Sequence, residues 1–111
     1  MKVGDVCLTA IPQANGKEKL RPVILMSQLP GFGDWLVCGI SSQIDKKKEE
    51  WDFLIEKDSP YFSSTGLKKD SIIRLSFLAV IPSHRIVGRI GSLPYKIVST
   101  LIQRLCTHLK E

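Results

Sequence analysis

Short apolar runs separated by turn residues occupy the chain as far as Pro82, and most predict strands. Residues 3–8 read as a first, short strand in which Asp5 points opposite to Val6. Residues 21–26 are nearly continuously apolar, as expected of a strand buried on both faces. Between them lies the turn cluster 12–16, where Asn15-Gly16 signals positive φ. The segment 30–34 breaks the second run, and residues 35–40 form a third strand that leaves through the polar Ser41-Ser42-Gln43. A weaker strand is expected over 51–55 and a loop over 63–66. Residues 71–75 and 78–81 predict two further strands or one bent strand, stopped by Pro82.

After Pro94 the period changes. Ile97, Leu101, Leu105 and Leu109 recur four apart, joined by Val98, Ile102 and Cys106. This is the apolar stripe of a helix lying on a sheet, with Lys96, Gln103, Arg104 and Lys110 facing water. Pro94 suits the first helical turn, and Ser92 is the expected cap. The pattern as a whole predicts a mostly β domain over 1–111, a small barrel or sandwich, closed by a C-terminal helix.

Composition sharpens this only in part. With 111 residues, 43% hydrophobic and 24% charged, the chain is long enough for one core without staples. No apolar run approaches a membrane span, and the early Asp5 is unlike a signal peptide, so a cytoplasmic protein is expected. Cys7, Cys38 and Cys106 are scattered, odd in number and set in apolar segments, so each is expected to be buried and structural. No Cys/His cluster has metal-ligand spacing, and no phosphate-binding glycine loop or nucleophile motif occurs, so neither a metal nor a cofactor is expected. The net charge of +5 favours a polyanionic partner, and nine of the sixteen cations form three groups: Lys17, Lys19 and Arg21; Lys46, Lys47 and Lys48; Lys68, Lys69 and Arg74. Acids at Glu49, Glu50 and Asp52 offset the second group, which reads as a solvated loop. His84 and His108 have no nucleophile near them in sequence and read as surface or helix-end residues.

The chemistry that remains is cations with hydroxyls. Arg21 opens the second strand, and Pro22 after it limits the backbone. If strands two and three are antiparallel neighbours, Arg21 lies beside Ser41 at one sheet edge, with Gln43 and Lys46 near. Guanidinium, hydroxyl and amide at one rim form a phosphate-recognition set. Trp35, Trp51, Phe53, Tyr61 and Phe62 are candidates for base stacking, although Trp35 and Phe53 also suit a core.

Several segments, in order, resemble the MazF/PemK family of toxin endoribonucleases from type II toxin-antitoxin systems. They are Gly4-Asp5-Val6, Lys19 to Ser27 (KLRPVILMS), Gly39 to Ile44 (GISSQI), Gly66 to Leu75 (GLKKDSIIRL) and Arg89 to Leu93 (RIGSL). The resemblance implies an SH3-like β-barrel, a homodimer and an antitoxin whose disordered segment blocks the RNA groove. It implies mRNA-interferase activity: metal-independent cleavage of single-stranded RNA by 2′-hydroxyl attack, giving a 2′,3′-cyclic phosphate and a 5′-hydroxyl. The family's catalytic arginine falls on Arg21, its strand-end hydroxyl on Ser41 and its following glutamine on Gln43. Lys19, Ser42, Gln43 and Arg74 are the expected RNA contacts. Residues 77–81 are apolar where many members are polar, so no RNA contact beyond Arg74 is expected from that strand.

Two rivals remain at this level. A DNA gyrase poison of the CcdB kind shares the fold, but those act through an aromatic-glycine-aliphatic C-terminus and this chain ends Thr107-His108-Leu109-Lys110-Glu111. A non-enzymatic SH3-like nucleic-acid-binding module would use the same rim without cutting.

Overall fold

The computed structural model describes residues 1–12 and 14–111. Six strands form one antiparallel sheet: β1 (Asp5–Pro12), β2 (Glu18–Gln28), β3 (Trp35–Ser41), β4 (Asp52–Ile55), β5 (Ser71–Ile81) and β6 (Ile86–Ser92). Among the described residues two α-helices accompany them, the single turn α1 (Phe62–Thr65) and the long α2 (Tyr95–Leu109). The strand order is β4-β5-β3-β2-β1-β6, which ends at β4 on one side and β6 on the other. The sheet is therefore open, where an SH3-like barrel was expected. Among the described residues no helix is long and apolar enough to cross a membrane.

The doubly buried strand expected at 21–26 is the centre of the molecule. Ile24 and Met26 face one cluster with Val6, Cys38, Ile40, Ile73, Leu75 and the α2 residues Val98 and Leu101. Val23 and Leu25 face the other, with Cys7, Trp35, Val37 and Ile86. Alternation along β2 thus feeds two cores, which is why its sequence shows no polar face.

Two irregularities matter for the site. Between β3 and β5 the partner of Cys38 is Leu78 but the partner of Gly39 is Arg74, so residues 75–77 are accommodated outside the regular register. The bent-strand reading of 71–81 is the one observed, and this bulge is the bend. A second shift lies in β2 between Leu25 and Ser27.

Other expectations need correction. Residues 63–66 are not a plain loop: the α1 turn closes there because the buried Thr65 hydroxyl donates to the Phe62 carbonyl, and Gly66 ends it in the left-handed region at φ 75°. β6 was not foreseen, since Gly88 and Gly91 interrupt its apolar positions. The first strand runs on to Pro12, within the expected turn; Gln13 of that turn lies outside the described residues, and Gly16 has the expected positive φ, 83°. Ser92 does not cap α2; Pro94 occupies the cap position and its carbonyl accepts from the Ile97 and Val98 amides. The buried stripe of α2 is narrower than expected: Val98, Leu101 and Leu105 are covered, while Ile102, Cys106 and Leu109 are exposed. Cys106 is thus not a buried thiol, because it sits on the flank of the stripe. Arg104 does not simply face water but donates to the Asp52 carbonyl at 3.0 Å and lies over the Phe53 ring.

Candidate functional site

β2 and β3 are antiparallel neighbours, with Val23 opposite Gly39. Arg21 and Ser41 lie two residues further along each strand from that pair, at the same edge and on the same face. β5 brings Arg74 opposite Gly39 from the other side of β3. These strands enclose a depression of about 280 Å³ lined by Arg21, Ser41, Gln43, Arg74 and Phe77, with Pro22, Gly39 and Ile11 among its walls. Its volume is close to the low end of small-ligand sites.

The local bonding aims these groups. The Gln43 amide donates to Ser41 Oγ at 3.1 Å, so the hydroxyl oxygen is already an acceptor and its proton is the part left to donate outward. The guanidinium of Arg74 sits 5.6 Å from the centroid of the Phe77 ring, a cation–π contact that holds a long side chain near one position. Phe77 reaches the floor because the β5 bulge turns it there and because Gly39 presents no side chain: a β-carbon on Gly39 would lie 2.9 Å from Phe77 Cδ1.

A second depression, of about 180 Å³, adjoins the first and shares Arg21, Pro22 and Ile40 with it. Its remaining lining is Ser42, Leu67, Lys68, Lys69 and Ser71. Of the expected site residues, then, Arg21, Ser41, Gln43 and Arg74 share one depression and Ser42 lines the next. Lys19 lines neither; it is exposed on β2 opposite Ile11, at the rim of the first. Neither histidine takes part. His84 lies in the exposed 3-10 turn Ser83–Arg85, and His108 stacks on Trp51 with ring centroids 3.9 Å apart.

The aromatic expectation is displaced. Trp35 and Phe62 are buried, Phe53 lies under Arg104, and Trp51 and Tyr61 pack at the margin of the core. None of the five lines either depression, whereas Phe77 does. A signal for Phe77 was present: a glycine inside the apolar strand at 35–40 marks a place where something approaches the backbone closely.

Among the described residues that line the two depressions there is no carboxylate. Outside the depressions Arg85 pairs with Glu18 at 2.7 Å and Arg89 with Asp5 at 3.1 Å. Arginine, hydroxyl and amide groups gathered without acids can take an anion, and their fixed geometry suits a phosphoryl group.

Comparison with known proteins bears on the fold and the family. The search of curated proteins finds no match. Among solved structures the fold is similar to that of the Mycobacterium tuberculosis toxin MazF-mt6, with a TM-score of 0.71 at 15% identity, covering 96% of each chain. The model of the PemK-like, MazF-like toxins of type II toxin-antitoxin systems matches residues 2–109, and the chain belongs to that family.

Proposed function

We propose that this toxin is an endoribonuclease that cuts single-stranded RNA without a metal, by attack of a ribose 2′-hydroxyl on the adjacent phosphate. The observation that carries the reading is the convergence of Arg21, Ser41, Gln43 and Arg74 on one depression whose described lining holds no acid. A bond forms between the 2′-oxygen and phosphorus, the bond from phosphorus to the 5′-oxygen breaks, and the products are a 2′,3′-cyclic phosphate and a 5′-hydroxyl. Negative charge grows on the non-bridging oxygens as the phosphorus becomes five-coordinate. Arg21 stabilises that charge at the strand entrance, and Ser41 donates its remaining proton to one oxygen. Preorganised donors of this kind are worth about 3–4 kcal/mol each in the transition state. Arg21 acts through its charge, the 2′-proton passes to solvent, and solvent supplies the proton that the departing 5′-oxygen takes up.

The family pairs its toxins with antitoxins, and the cationic groove is the surface that an antitoxin segment would cover. The toxin acts as a homodimer in this reading, which sedimentation at micromolar concentration tests directly.

Replacing Arg21 with Ala and assaying a mixed-sequence RNA oligonucleotide decides the matter. Loss of the cyclic-phosphate product, together with survival of RNA carrying 2′-deoxyribose at the cut, is expected. Unchanged cleavage by the variant sinks the assignment. Salt-sensitive binding of RNA that stays intact would point to a binding module, and inhibited supercoiling with intact RNA to a gyrase poison.

A further inference from the structure

The second depression is built as carefully as the first, and the proposed cut at Arg21 and Ser41 leaves it unused. Its cations stand on residues 66–70, a loop anchored at both ends. At the start, the Leu67 amide donates to Thr65 Oγ1 at 3.1 Å, and Thr65 is fully buried. Gly66 cannot be replaced there, because a β-carbon would fall 2.2 Å from the Ile90 carbonyl oxygen. At the end, the buried Ser71 donates its hydroxyl to the Lys69 carbonyl at 2.9 Å. The single acid of the loop is turned away: Asp70 accepts from the Lys57 amide at 2.6 Å and does not line the depression. Lys68 and Lys69 are exposed, and among the described residues neither forms an ion pair. The fold thus holds two lysines beside a serine hydroxyl and keeps the nearby carboxylate occupied elsewhere.

The two depressions meet at Arg21, Pro22 and Ile40. A strand whose reacting phosphate sits against Arg21 and Ser41, and which continues over Pro22 and Ile40, brings a neighbouring phosphate to the Lys68–Lys69 side. Ser41 and Ser42 are adjacent on the chain and line different depressions, so each depression has one of the two serines in its wall.

We propose that Lys68, Lys69 and Ser42 form a subsite for the phosphodiester adjacent to the one that is cut. This subsite rests on the ribonuclease reading of the first depression and adds to it a requirement for a second backbone phosphate. It positions and does not react, so its loss weakens substrate binding and leaves the chemical step nearly intact.

The test uses the full chain and a short RNA made uncleavable by a 2′-O-methyl group at the cut, measured for binding across a salt series. The probes carry a neutral methylphosphonate in place of the phosphate on the 5′ side, on the 3′ side, or at neither. For the all-phosphate RNA, K68A/K69A is expected to weaken binding about tenfold and to flatten the logarithmic salt dependence by about 0.7, the value for one single-strand phosphate. Neutralising the contacted phosphate should weaken the wild type equally and leave the double variant unaffected. Coupling at either neighbouring phosphate supports the subsite and says on which side it lies; coupling at neither overturns it. In cleavage assays KM should rise with kcat changed less than threefold. A fall in kcat with KM unchanged, or lost affinity for an acidic peptide with RNA binding intact, would also overturn it. Arg21→Ala separates the two ideas: if that variant cleaves normally, the ribonuclease reading fails, whereas normal behaviour of K68A/K69A beside an inactive Arg21→Ala removes the subsite alone.

Discussion

The ring of Phe77 lies across Gly39, close enough that an added β-carbon would meet its Cδ1 at 2.9 Å. This contact joins the β5 bulge to the central strand β3 and sets the floor on which Arg74 rests, 5.6 Å above the ring. Gly39→Ala should push the ring aside and carry Arg74 with it. A stability cost of about 1–3 kcal/mol is expected, in the range for overpacking. Activity should fall further than stability explains, because a cation has lost its place. Urea unfolding beside RNA cleavage at a temperature where the variant is folded separates the two effects; full activity in a folded variant would show that the floor is unimportant.

The Ser41 hydroxyl has a divided role, accepting from the Gln43 amide at 3.1 Å while keeping one proton to donate. Ser41→Ala removes both functions, and kcat should fall by about 10²–10³-fold, the loss typical of one transition-state donor. Ser41→Thr retains the hydroxyl and, in a strand, its branched carbon is well tolerated, so it should recover most of the rate. Single-turnover kinetics with saturating enzyme check this, and an Ala variant within threefold of wild type would remove Ser41 from the chemistry.

How far the chain announced this arrangement depends on which interactions are local. Arg21 at a strand entrance and Ser41 at a strand exit are visible because alternation fixes each strand, and adjacency of β2 and β3 then places them together. The Lys68–Lys69 run was visible as charge, but its position beside Arg21 depends on β5 pairing with β3 across some thirty intervening residues. Phe77 was read as part of an apolar strand because the bulge that redirects it arises from sheet pairing, which periodicity does not encode. β6 was missed for a related reason: its glycines make room for close neighbours, as at Gly91 against Thr65, and so dilute the strand pattern. The open sheet in place of a barrel is likewise a property of pairing at the edges, β4 and β6, rather than of any one segment.

Among the described residues, the lining of both depressions contains cations and hydroxyls and neither a carboxylate nor an imidazole. A histidine base would give a rate that levels off above its own titration near neutrality. Here the logarithm of kcat should climb steadily from pH 5 to pH 8 with a slope close to one, as the 2′-hydroxyl loses its proton to solvent. A plateau in that interval would show that a titrating side chain takes part. His84→Ala and His108→Ala should leave the profile unchanged, since neither ring lines the site.

Thiol accessibility divides the three cysteines, with Cys106 exposed and Cys7 and Cys38 buried. Burial pushes the Cys38 thiol up to about 12. Burial, followed by the neighbouring Asp5 carboxylate, also raises Cys7. An aromatic disulfide reagent at pH 8 should therefore titrate one thiol rapidly in the folded protein and three after denaturation. The same shift makes stability depend on alkali. Below about pH 8.5 Cys38 is protonated in both states and has no effect. Above it the unfolded chain releases the proton while the folded chain holds it, so the unfolded state is favoured progressively until about pH 12. The urea midpoint should fall as pH rises from 9 to 10.5, and less steeply in Cys38→Ala, whose lower stability at neutral pH is offset by the absence of that proton loss. Parallel pH profiles in the two proteins would show that Cys38 does not contribute to the alkaline loss.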